Sequence, residues 1–498
     1  MNGVTQMPER PVADATSTLM RTTVRPGFSV AELIALLNAE LLAGGEEDGL
    51  DALSTDTRTL QTNDYFLAIK GDRFDGHAFV PSAFARGAAG AIVERESGRR
   101  LASAHSLRRP LLGVDDPVRA LQQLAAAHRR RFTLPVIGVT GSNGKTSTKE
   151  MTASILSCRY AVHKTQGNLN SQIGLPMMLL GLTAEHEAAV LELGISRRGE
   201  LTRLCELARP TIGIITNIGP AHLESLGDLD GVRAAKAELL AGLPVEGLAL
   251  LNRDEPSYDW LRQRCRCRIV SFGSSPEAEV GSRILGIEPG EPPRQRILVQ
   301  WAGGSAEAVL PVIGAHFAVN AAAAAAAALD VGVGPEEIAA GLAAVRLPAM
   351  RSEVKTLPGG ARLLLDAYNA NPLSVRRALE TAAQLAGSGA IVAVLGDMLE
   401  LGPEAERWHD EIGRYAATLP VGRLVTVGLL AGRMADGAAA AGLTADAIQR
   451  CTDVKDAALV LDRWLRSGTI RRGDVVLVKG SRGMRMERIV DGLAGSGD

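Results

Sequence analysis

Apolar residues recur along this chain in two rhythms. Helical spacing opens at FSVAELIALLNAELL, where Ser29 is placed to cap a helix carrying Val30, Leu33, Ile34 and Leu37 on one face. Short turn-rich strands follow, among them YFLAIKG at 65–71, and an alanine-rich helical stretch, VRALQQLAAAHRRR, leads to Pro135. Beyond it the apolar runs become nearly continuous: PVIGVTG, then EAAVLELG at 187–194 and PTIGIITNIG at 210–219. Such runs predict strands buried on both faces of a parallel sheet. The alanine run 321–328, preceded by polar Asn320, reads as a tightly packed helix. From about Met350, the strands RLLLDAYNA, GAIVAVLGDM, GRLVTVGLL and GDVVLVKGS alternate with helices such as PLSVRRALETAAQLA. This pattern predicts a second domain of alternating strands and helices.

The chain has 498 residues, and domains usually run to ~100–200 residues, so three are expected. The predicted class is α/β. Residues 1–26 form a polar tail without an apolar leader region and are expected to fray. Residues 27–132 form a small α/β domain, 133–348 a central nucleotide-binding α/β domain, and 349–498 a Rossmann-like α/β domain. Aromatic residues make up only 3% of the chain, so the cores must be built from Ala, Val, Leu and Ile. A net charge of −2 argues against a general nucleic-acid binder. No apolar stretch reaches the ~20 residues of a membrane span. The five scattered cysteines suit a reducing cytoplasm, and Cys265 and Cys267 lack the second half of a zinc site. A monomer is expected.

Chemistry enters at VIGVTGSNGKTSTKEM. GSNGKT lies between a strand and a helix, so Gly141, Ser142, Asn143, Gly144, Lys145, Thr146 and Ser147 can present backbone N–H groups and a helix N-terminus to phosphate. Lys145 can reach the β- and γ-phosphates, and the Thr146 hydroxyl can bind Mg²⁺. Val139 stands where the longer phosphate-loop pattern has its first glycine, leaving the shorter form G-x-x-G-K-T. Glu192 closes the run AAVLE, where a parallel strand presents its last residue to a ligand crevice. His222, in NIGPAHLE, also follows a strand. No N-K-x-D element for guanine is present, so ATP is the expected nucleotide.

The run ELGISRRGELTRLCELARPTIGIITNIGPAHLESLGDLDGVRAAKAELL resembles the centre of a Mur ligase, a family of ATP-dependent amide-forming enzymes of peptidoglycan assembly. TQGNLNSQIGLP, DAYNANPLS, VLGDMLELG and KGSRGMRMERIV resemble the members that add D-alanyl-D-alanine to UDP-N-acetylmuramoyl-tripeptide. STDTRTL and YFLAIKGDRFDGHAF resemble the UDP-sugar-binding domain of the family. The resemblance implies ATP, two Mg²⁺ ions and a stepwise reaction through an acyl phosphate. Thr146 and Glu192 would hold a first metal, and His222 would help hold a second. Lys236 matches a lysine carbamylated in the family, although a lysine on a helix surface is the plainer reading. Asn252 falls where adenine is contacted, or caps a turn. His316 and Asn320 match nucleotide contacts, or start a helix. Arg351 matches a residue near the phosphates, and Asp366 one near the ribose.

For the peptide substrates, the resemblance implies Ser54, Asp56, Arg58, Asp75, Gly76 and His77 near the uridine diphosphate. Asn168 and Asn170 would lie near the peptide or its activated carboxyl. Ser171 departs from the pattern, which commonly has asparagine there. Asn371 would be a substrate contact, or form a turn; Lys479, Ser481 and Arg482 read as exposed polar residues beyond a strand that would bind the incoming dipeptide or clamp the closed state, with a solvated loop as the alternative. Two rivals remain open at this point: another ligase of the same superfamily, and a phosphate-loop ATPase that drives motion or binding.

Overall fold

Alternation between buried and exposed positions begins earlier than the polar tail suggests. The computed structural model describes residues 21–71 and 74–494, and its first strand is Arg21–Phe28. Residues 21–26, expected to fray, are therefore ordered. This edge strand buries Val24 and Phe28, and Arg21 clamps Asp64 with two hydrogen bonds of 2.6 and 2.8 Å. Its other residues are threonines, arginines, Pro26 and Gly27, so apolar periodicity alone does not reveal it. Residues 1–20 of the expected tail lie outside the described residues.

The chain divides into two compact units: 1–133 with 165–186, and 134–164 with 187–498. In the first, the six-stranded sheet runs Arg21–Phe28, Leu50–Ser54, Tyr65–Leu67, Gly90–Glu94, Leu111–Val114 and Glu40–Ala43 in spatial order. The inner pairings are parallel and both edges antiparallel. Ser29 caps helix Val30–Leu37 in a reciprocal box with Glu32, and Val30, Leu33 and Leu37 are buried. Segment 165–186 packs with this unit. Its helix Gly174–Leu180 packs on helix Pro117–Arg129. The Gln122 amide donates to the Gln172 carbonyl, and buried His128 Nε2 to the Leu182 carbonyl. All seven helix residues are buried, as a segment docked on a neighbour requires.

The second unit holds two sheets. The larger has nine strands, with Val136–Thr140 between Ile212–Ile215 and Ala188–Glu192. Seven strands from Val162–Lys164 to Val280–Glu288 run parallel, as the continuous apolar runs predict, and an antiparallel hairpin, Arg294–Trp301 with Gly304–Leu310, extends one edge. After Ala188–Glu192 the chain crosses to the other side of Val136–Thr140, and such a switch point opens a crevice at the carboxyl ends of the strands. Helix Ala315–Asp330 buries the whole alanine run against helix Lys145–Leu156; methyl side chains permit that close approach at no rotamer cost. The smaller sheet has six strands, all parallel except the edge Glu353–Thr356. This is the second alternating domain anticipated from Met350 onward.

Candidate active site

The phosphate loop is braced before anything binds to it. Gly141 has φ +145°, and a Cβ there would lie 1.9 Å from Thr216 Oγ1; only glycine allows this approach. Ser142 Oγ donates to the Gly219 carbonyl and accepts from the Gly219 N–H at 2.8 and 2.9 Å. The Asn143 N–H donates to Asn217 Oδ1 at 2.9 Å, and Asn217 Nδ2 to the Asn143 carbonyl at 3.0 Å. Thr216 and Asn217, which the sequence reading passed over, thus shape the loop; their signal was a polar pair closing the apolar run IGII. Gly144, with φ +79°, opens helix Lys145–Leu156. Ser147 is buried in its first turn.

Lys145 Nζ folds back onto the Gly141 and Ser142 carbonyls at 2.8 and 3.2 Å. Burial pushes this ammonium below the ordinary lysine range, while Glu192 opposes the shift. The Thr146 hydroxyl donates to Glu192 Oε2 at 2.8 Å, and both residues are buried. A hydroxyl and a carboxylate at one strand end are the hard oxygen donors that Mg²⁺ accepts. Among the described residues no group of three or more His, Cys, Asp or Glu could cage a metal.

His222 follows strand Ile212–Ile215, with left-handed backbone at φ 53°. Its Nδ1 lies 2.6 Å from Glu400 Oε2. Burial holds the imidazole below its usual range; Glu400 works against this, and Lys145 and Lys236 add to it. Lys236, on helix Leu229–Ala241, is 1% exposed. The plainer reading of Lys236 as a surface lysine is therefore excluded. Desolvation pushes its pKa well below the ordinary lysine range, and the nearby Lys145 charge pushes the same way. A lysine in this setting is driven toward the neutral amine.

Around the loop, Asn252 Nδ2 donates to the Thr216 carbonyl at 2.9 Å, and its Oδ1 accepts from the Asp254 N–H at 3.0 Å. The turn-capping role therefore operates. Asn320 lies against the loop, its Oδ1 2.9 Å from where a Gly144 Cβ would stand. His316 lies one turn earlier on the same helix, and burial pushes its pKa down to about 4, so it is neutral at pH 7. His316 Nδ1, Asn320 Nδ2 and Arg351 Nε are buried without a hydrogen-bond partner. Buried polar atoms are rarely left so, and three on residues matched to nucleotide contacts fit a polar ligand. Arg351 also stacks 4.1 Å over the Tyr368 ring.

Two sequence expectations change here. Lys479 and Ser481, read as exposed, are 2% and 3% exposed. Lys479 Nζ meets Asp366 Oδ2 at 2.6 Å and the Asn369 carbonyl at 2.9 Å, and this pairing compensates the buried charge. Asp366 in turn accepts the Ser352 N–H at 3.1 Å. Ser481 Oγ accepts the Leu399 N–H at 2.9 Å. Arg482 alone is exposed, paired with Glu487 at 2.8 Å. Asn371 caps helix Pro372–Ala386 and exchanges amide hydrogen bonds of 2.8 and 3.2 Å with Asn143. It therefore ties the smaller sheet's domain to the phosphate loop. Replacing either asparagine by alanine should destabilise the protein, with a coupling of about 1 kcal/mol in a double-mutant cycle read by urea unfolding. Strict additivity would show that the amide pair contributes nothing.

In the first unit, Ser54 Oγ donates to the Asp56 carbonyl at 2.9 Å, and Asp56 grips Arg58 through both carboxylate oxygens. That guanidinium bond holds the Asp56 carboxyl below its usual range. His77 Nε2 accepts the Glu94 N–H at 2.9 Å, so Nδ1 carries the proton and donates to Asp75 at 2.6 Å. Asp75 also caps the short helix Gly76–Phe79. Asn168 and Asn170 are joined through backbone at 2.8 Å. Ser171, the departure from the family pattern, accepts the Gly174 N–H at 3.3 Å, at the start of helix Gly174–Leu180.

A strand–loop–helix phosphate cradle, a strand-end carboxylate bonded to its threonine and a second Rossmann-like sheet together define an ATP-using ligase architecture. Models of the Mur ligase family match along the chain: the catalytic domain at residues 50–129, the middle domain at 139–328 and the glutamate ligase domain at 350–482. The chain belongs to the Mur ligase family. A UDP-N-acetylmuramoyl-tripeptide–D-alanyl-D-alanine ligase of Escherichia coli is 37% identical over 94% of this chain and 99% of its own. Crystal structure I of MurF from Acinetobacter baumannii superposes with a TM-score of 0.85 at 32% identity, covering 95% of this chain and all of the other. The MurF ligase of Thermotoga maritima, solved in complex with ADP, gives 0.75 at 26% identity over 89% and 97%. No helix among the described residues is long and apolar enough to cross a membrane.

Proposed function

We propose that this chain joins D-alanyl-D-alanine to UDP-N-acetylmuramoyl-tripeptide, converting ATP to ADP and phosphate, in cytoplasmic synthesis of peptidoglycan precursors. The observation that carries the reading is the match, over nearly the full length of both chains, to an enzyme of that name. The phosphate cradle with its buried Thr146–Glu192 pair supports it, and the ADP complex of the Thermotoga relative supports ATP as the nucleotide.

In the reaction a tripeptide carboxylate oxygen attacks the γ-phosphorus, and the bond to the β-phosphate oxygen breaks. The dipeptide amine then attacks the acyl carbon; phosphate leaves with the bonding pair and the amine loses its proton. Two anions must approach in the first step, so the protein needs positive charge and aligned donors more than a nucleophile. Lys145 supplies a charge that moves from loop carbonyls to phosphate oxygens, and the N–H groups of residues 144–146 would hold those oxygens, those of Ser142 and Asn143 being bonded to Asn217. Thr146 and Glu192 would hold one Mg²⁺, and His222 with a carbamylated Lys236 a second. Bound there, the cations neutralise phosphate charge. A neutral Lys236 amine is the form that adds CO₂, and its burial favours that form. Asn252, His316, Asn320, Arg351 and Asp366 are assigned to the nucleotide. Ser54, Asp56, Arg58, Asp75, Gly76 and His77 are assigned to the uridine diphosphate end, and Asn168 and Asn170 to the peptide. The enzyme is assigned as a monomer that binds no nucleic acid.

Phosphate release should require both UDP-N-acetylmuramoyl-tripeptide and D-alanyl-D-alanine. Steady ATP hydrolysis with neither present would overturn the reading in favour of an uncoupled ATPase.

A further inference from the structure

Glu400 lies in the loop after strand Ile391–Gly396 of the smaller sheet, and His222 after strand Ile212–Ile215 of the larger one. We propose that Glu400 is a positioning residue for His222: it accepts a hydrogen bond from Nδ1 and so leaves Nε2 with its lone pair for a divalent cation. This inference rests on the reading of His222 as a metal ligand. Docking of the smaller sheet's domain then completes the metal site.

Three observations carry it. The Glu400 carboxylate lies 2.6 Å from Nδ1, while among the described residues no protein group bonds Nε2. A histidine that ligates a metal commonly donates its other N–H to a carboxylate, which fixes the tautomer and orients the ring. The second observation is how firmly the loop is held. The Met398 N–H donates to buried His409 Nε2 and the Leu399 N–H to Ser481 Oγ, both at 2.9 Å. Asp397 accepts the Ala431 N–H at 2.6 Å, and its carbonyl accepts the Ser481 N–H at 3.1 Å. His409, whose Nδ1 donates to the Ala405 carbonyl, is thereby a support for the loop.

The third is strain. His222 and Glu400 both adopt left-handed backbone, with φ 53° and 64°, a conformation that disfavours side chains. The Glu224 N–H docks on the Glu400 carbonyl at 3.3 Å. Gly402, at φ +63°, lets the loop pass, since a Cβ there would stand 3.3 Å from Glu224 Cα. An ion pair whose carboxylate is 58% exposed contributes little stability. Two strained residues held for so weak a pair indicate a role in the site itself.

The test uses Mn²⁺, titrated by electron paramagnetic resonance into the full-length enzyme holding a nonhydrolysable ATP analogue. Glu400→Ala should weaken one Mn²⁺ site by about 10–100-fold. Glu400→Gln, whose amide oxygen still accepts from Nδ1–H, should bind as the unaltered enzyme does. Thermal melting confirms that both variants are folded. Unchanged Mn²⁺ affinity in Glu400→Ala, or equal loss in both variants, overturns the inference. Unchanged affinity in His222→Ala instead removes His222 from the metal site, and Glu400's role falls with it. Neither result touches the ligation assignment, which the two-substrate requirement tests separately.

Discussion

Lys145→Ala is expected to lower the rate of amide formation by about 10³-fold while leaving the protein folded. The size follows from what the ammonium does. Charge builds on the γ-phosphoryl oxygens as the carboxylate attacks, and removing a single fixed donor from such a site costs about 10²–10³. The upper end applies because this donor carries full charge in a buried site. Among the described residues Lys145 bonds only to the Gly141 and Ser142 carbonyls of its own loop, while Ser142 is separately braced by Gly219 and Asn143 by Thr216 and Asn217. The loop should therefore keep its shape. Phosphate release under saturating substrates, with the melting curve as control, gives the answer; turnover close to that of the unaltered enzyme would remove Lys145 from the chemistry.

Lys236→Ala is the second large effect, a loss of about 10²-fold or more, since removal of a charge-stabilising group is again involved. The informative measurement is rescue. Lys236 is 1% exposed, so truncation leaves a buried space large enough for a small molecule. If the residue acts as a carbamate, acetate or another short carboxylic acid should restore part of the activity, and Lys236→Arg should resist rescue. Restoration by methylammonium instead would show that the lysine works as a cation and would overturn the carbamate assignment.

Much of this site was legible because its parts are local. GSNGKT follows a strand and precedes a helix within one short stretch, and Glu192 and Asp366 each close or follow an apolar run, so backbone rules suffice to place them. The parallel sheets were legible for the same reason: a strand buried on both faces has little room for polar residues. Arg21–Phe28 escaped because an edge strand with one buried flank carries threonines and arginines. Lys479 was misjudged because its charge is compensated by Asp366, 113 residues away in sequence. A single sequence shows a charge but not the partner that makes its burial tolerable.

The sequence by itself determined the α/β class, the phosphate loop with a hydroxyl and a strand-end carboxylate beside it and, through its motifs, the family. Tertiary structure alone decided that residues 165–186 join the first unit, that Asn371 meets Asn143, that Lys236 is buried and that Glu400 meets His222. The division has one physical cause. Helix and strand periodicities, caps and glycine turns are set by neighbours within a few residues. The partners of a buried amide, ammonium or imidazole come from distant segments, and only the packing of the sheets brings them together.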